Sequence, residues 1–164
     1  MDTGVKTSPW LVFSVTAMGT FMATLDSSIV NVALPVITSR LHTGLAMSQW
    51  VITAYLLVIS SLLPVFGRAG DMYGQRRVYT TGVAVFTIAS VFCGFSSSIL
   101  MLIGSRIVQA VGASMMMANG PAVIVLAFKP QERGRALGSI GTVVAMGAIV
   151  GPALGGVLTG TCGW

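Results

Sequence analysis

Five long apolar runs, separated by short gaps that hold most of the charge, restrict this chain to an all-α integral membrane fold, a polytopic helical bundle. The runs cover approximately 10–37, 46–66, 78–98, 99–128 and 136–162. Each reaches the roughly 20 residues that a tilted helix needs to cross a hydrocarbon core of roughly 30 Å. With 54% hydrophobic and 8% charged residues, the chain cannot present an ordinary water-facing surface, which is about a quarter to a third charged. A secretory leader is the competing reading of the first run. Against it, the apolar sequence resumes past Asp26 and four more runs follow.

The net charge of +5 could point to nucleic acid, but that requires one clustered basic face. Here the cations fall in alternate gaps, which is a topology signal. Lys6, then Arg68, Arg76 and Arg77, then Lys129, Arg133 and Arg135 lie on one side, against Arg40 alone on the other. The positive-inside rule puts the N-terminus and the expected loops 67–77 and 128–135 in the cytoplasm, in a multi-pass protein of the cell (plasma or inner) membrane. Cys93 and Cys162 have no metal-ligand spacing and form no disulfide framework. Nothing suggests an enzyme, a catalytic residue, a metal or a cofactor. His42, the single histidine, reads as a solvated loop residue, with no nucleophile or phosphate-cradling loop beside it.

Two charges lie inside the apolar runs. Asp26 interrupts the first, in LDSSIVNVALP, with Thr24, Ser27, Ser28 and Asn31 around it. A carboxylate in hydrocarbon costs roughly 2.5 to 3.5 kcal/mol on insertion scales, so it normally faces protein or a watered cavity. Arg106 lies in the fourth run, with Gln109 three residues on and therefore on the same helix face, extended by Ala110 and Ser114. A guanidinium there needs a partner or must snorkel to the surface. At 1.5 Å per residue, Asp26 and Arg106 both lie to the outer side of their span centres, within roughly two helix turns. If both spans line one cavity, the two can interact directly or through water.

Two glycine patterns complete the set. Gly67, Asp71, Gly74, Arg76 and Arg77 spell a tight connection with an acid and a basic pair, where Asp71 can accept hydrogen bonds near the start of span three. In span five, Gly147, Gly151 and Gly155 recur at four-residue steps, beside Pro152 and Gly156. Such a face admits another helix backbone at close range, and Pro152 invites a bend. The Met115 to Met117 patch reads as packing.

Together these stretches resemble the major facilitator superfamily. Gly67 to Arg77 is similar to its signature between helices two and three, with Ala69 for the usual Leu and Met72 for the usual basic residue. Leu102 to Ala110 resembles its helix-four motif, with Ala110 where Gly is common. The run G-x-x-x-G-P-x-x-G-G from Gly147 looks like the antiporter motif of its exporters. LDSSIVNVALP and SQWVITAYLL are similar to its fourteen-span drug:proton antiporter branch, with Ser28 replacing Thr. The resemblance implies proton-driven export of hydrophobic or cationic compounds by alternating access. Asp26, Arg106, Asn31 and Gln109 would then serve proton and substrate, the loop motif one access state, and the span-five glycines a hinge or seal. It also implies an incomplete N-terminal half, whose partners are the lipid bilayer, a proton, a small substrate and missing C-terminal helices. The alternative is a truncated, non-transporting fragment or an interaction partner of a full-length transporter.

Overall fold

The computed structural model describes residues 8–161, with side chains to 157, and consists of five helices: α1 (Pro9–Arg40), α2 (Leu45–Tyr73), α3 (Gln75–Gly94), α4 (Ile99–Ala127) and α5 (Pro130–Thr161). Lys6 and Cys162 lie outside the described residues. All five helices are long and apolar enough to cross a membrane. Even α3, at 20 residues, is about 30 Å long. The others exceed the hydrocarbon thickness, so their ends reach the headgroup region or the helices tilt.

Helix boundaries follow local chemistry. Pro9 opens α1, where its missing N–H costs nothing. The Ser98 hydroxyl caps α4 by accepting from the Met101 N–H at 3.2 Å. Between α1 and α2 the chain turns through exposed His42, at a φ of 48°. Between α2 and α3 the only non-helical residue is Gly74, at a φ of 95° that a side chain rarely adopts.

That junction corrects the expected loop 67–77. Residues 67–73 belong to α2, and 75–77 already belong to α3. Residues 130–135 are likewise helical, leaving Phe128 and Lys129 as the α4–α5 connection. The physical reason is that a helix satisfies its own backbone and continues past the hydrocarbon edge, so charges at Arg68 and Asp71 end the apolar run without ending the helix.

Packing divides the bundle into two groups. The most buried helix, α4, carries α2 and α3 on its sides, whereas α5 packs chiefly on α1. Lipid tails are as apolar as leucine, so close fit drives these contacts. On α3 and α4, Gly82 and Gly112 face one another; a Cβ on Gly112 would come 2.8 Å from the Gly82 carbonyl and 2.9 Å from the Phe86 Cα. The interior around them holds Tyr55, Ile59, Tyr79, Phe86, Ala113 and Met116. On α5, Gly147, Gly151 and Gly155 lie in turn against Thr24, Ser28 and Ile29 of α1. α5 runs unbroken through Pro152, which is exposed, and Gly156 points to open space.

Candidate functional site

Four helices bring polar groups to one place inside the bundle. α1 supplies Asp26, and α4 supplies Arg106 and Gln109, which the i, i+3 spacing aims in one direction. The Arg106 Nη1 donates to Asp26 Oδ2 at 2.6 Å and also to Gln109 Oε1. The Gln109 Nε2 donates to Asp26 Oδ1 at 3.0 Å and to the Ser90 hydroxyl of α3 at 2.7 Å. Both carboxylate oxygens thus hold a donor. Cys93, one turn beyond Ser90, directs its thiol to Gln109 Oε1 at 3.8 Å.

Burial differs sharply within the pair. The Arg106 side chain is 3% exposed and that of Asp26 is 22% exposed, so the acid is the member that a ligand can reach. Charge balance explains how Arg106 tolerates this position. Its guanidinium carbon sits 4.4 Å from the centre of the Tyr55 ring of α2, whose π face attracts a cation. Its Nε is buried with no hydrogen-bond partner among the described residues. Snorkelling to the surface is excluded by this geometry.

Asn31 does not join the group; it lies farther along α1 and is exposed. Tyr55, Ser90 and Cys93 belong to the site but were not singled out by sequence reasoning. The only signal was a polar aromatic and a hydroxyl in the middle of spans that otherwise carry no charge.

The α2 terminus is pinned separately. Asn119 of α4, 1% exposed, donates from its amide to the Phe66 carbonyl at 3.0 Å and to the Met115 carbonyl at 2.9 Å. Its Oδ1 fills the place where a side chain on Gly70 would go. Gly67, by contrast, has open space around it. Asp71 accepts from the Gln75 side chain at 3.4 Å across the Gly74 junction, while Arg76 and Arg77 are exposed on the first turn of α3.

Beside the charged group lies a cavity of about 480 Å³ between α1, α2, α4 and α5. Thr20, Thr24, Ile59, Met116 and Ile140 line it, and Ser27 and Tyr55 form its wall nearest the ion pair. This volume falls within the range of small-molecule sites, which are roughly 300–1,000 Å³ and mostly apolar.

Comparison with known proteins agrees with this architecture. The chain is 43% identical over 155 residues to the riboflavin transporter RibZ of Clostridioides difficile (strain 630), covering 94% of this chain and 34% of that protein. It is 33% identical over 161 residues to the tetracenomycin C resistance and export protein of Streptomyces glaucescens, covering 98% and 30%. To the multidrug resistance protein Stp of Mycobacterium tuberculosis (strain CDC 1551 / Oshkosh) it is 37% identical over 155 residues, covering 94% and 29%. The chain therefore spans about a third of the length of these relatives. The family profile described as Major Facilitator Superfamily matches residues 16–164, and this multi-pass membrane chain belongs to that superfamily.

Proposed function

We propose that these helices form part of the N-terminal half of a proton-coupled antiporter in the cell membrane, with a cytoplasmic N-terminus, exporting hydrophobic or cationic small molecules by alternating access. The observation that carries this reading is an acid of α1 held on both oxygens by Arg106 and Gln109 of α4, next to an apolar cavity. To bind a proton or a cationic substrate, Asp26 gives up at least one of those donors. Proton and substrate then compete for one carboxylate, and such competition is reciprocal by linkage. Arg106 modulates the exchange by offering an internal counter-charge whenever Asp26 is empty. The glycine face of α5 against α1 forms a seal, and the Gly67 to Arg77 segment stabilises one access state through helices beyond residue 164. Relatives named for resistance and export support the direction of transport.

The test uses the full-length protein in proteoliposomes, with drug-driven proton release followed by a trapped pH dye. Asp26→Asn is expected to abolish that release, and unchanged release sinks the carrier role. Full coupled efflux by Arg106→Ala removes the modulator role. Residues 1–164 alone in the same assay separate an active carrier from an inert fragment.

A further inference from the structure

The three threonine hydroxyls that line one flank of the cavity have already committed their protons. The Thr16 Oγ1 donates to the Val12 carbonyl, Thr20 to that of Thr16, and Thr24 to that of Thr20, each at 2.9 Å. The four-residue step places all three along one flank of α1, and all three line the cavity. A hydroxyl has one proton and two acceptor lone pairs, so each of these retains only the capacity to accept. Met116 and Met117, across from them, add thioether sulfurs that are weak acceptors. No charged residue lines the cavity among the described residues; Asp26 and Arg106 lie behind Ser27 and Tyr55.

We propose that this cavity selects apolar molecules carrying N–H groups, such as primary or secondary ammonium compounds, over quaternary ammonium compounds of the same shape. The proposal rests on the reading of the chain as part of a small-molecule carrier. A ligand N–H gains a new bond to a threonine oxygen without disturbing the helix. A ligand acceptor must first displace a threonine proton from its backbone carbonyl, exchanging one hydrogen bond for another. The contrast with quaternary ammonium is the sharpest. A primary ammonium is harder to strip of water than its trimethylated analogue, so a cavity lacking acceptors favours the latter. Acceptors reverse that order.

The experiment measures binding of naphthylethylammonium and its N,N,N-trimethyl analogue to the purified full chain by ligand fluorescence, at one neutral pH. The wild type is expected to prefer the primary ammonium. A hydrogen bond from a charged donor corresponds to roughly tenfold or more in affinity, so Thr20→Val with Thr24→Val should erase a preference of about that size per hydroxyl and leave the trimethyl compound unchanged. Valine keeps the methyl that Thr24 packs on Gly147, and Thr24→Ser, which keeps the hydroxyl, should restore part of the preference. Equal or tighter binding of the trimethyl compound by the wild type overturns the proposal. So does an equal loss for both probes in the double variant, or no binding of either. Loss of proton coupling with this preference intact would overturn the antiport reading alone.

Discussion

Arg106 satisfies three neighbours at once: the Asp26 carboxylate, the Gln109 amide oxygen and the Tyr55 ring. Removing it leaves Asp26 without its counter-charge, and breaking a buried pair from one side typically costs about 3–5 kcal/mol. Arg106→Ala should therefore lower thermal stability in detergent clearly. Asp26→Asn combined with Arg106→Gln, which removes both charges, should recover most of that loss. A double variant no more stable than Arg106→Ala would show that packing, and not charge balance, dominates here. The comparable depth of Asp26 and Arg106 was legible in the sequence, because rise per residue converts position into height, but that α1 lies beside α4 was not. The helix face shared by Arg106 and Gln109 was legible for the same kind of reason. Tyr55, Ser90 and Cys93 were not, because hydropathy fixes depth but carries no information on which helices are lateral neighbours. Asn31 shares the polar stretch around Asp26 in the sequence, but five residues on a helix turn it well away from that face.

Among the helices, the glycines separate by what a Cβ would meet: a neighbouring helix at some positions, open space at others. A Cβ at Gly151 would run into the Cβ of Ser28, an atom fixed to the α1 backbone, so the helices would have to part. Gly151→Ala should destabilise by about 1–3 kcal/mol, the usual range for overpacking. Gly156→Ala, pointing to open space in the same motif, should be neutral or stabilise by about 0.5–1 kcal/mol. Thermal unfolding of the two variants side by side checks this, and equal effects would refute the packing account of α5. The repeat at 147, 151 and 155 announced a close face, although it could not say that α1 is what lies against it. Gly67 and Gly70 were misread as loop residues. In a membrane helix glycine is a packing residue, and Gly70 is shaped by Asn119, a contact 49 positions away that no local pattern reveals.

For the whole molecule, the proposed orientation rests on where the cations fall. Arg68, Arg76, Arg77, Lys129, Arg133 and Arg135 all fall at the α2–α3 and α4–α5 junctions, while Arg40 ends α1 near the α1–α2 turn. In a background with Cys93 and Cys162 replaced by serine, a cysteine at His42 should react with a membrane-impermeant maleimide added to intact cells. A cysteine at Gln131 should react only after permeabilisation. The reverse pattern would invert the topology and the proposed direction of transport. Gly74 should also be intolerant: at a φ of 95°, Gly74→Ala should cost about 1–2 kcal/mol in the same unfolding assay. A connection one residue wide leaves little slack, so the adjoining ends of α2 and α3 shift together. Because α3 lies chiefly against α4, a tilt of α2 transmitted through Gly74 is resisted where Gly82 and Gly112 let those two backbones meet.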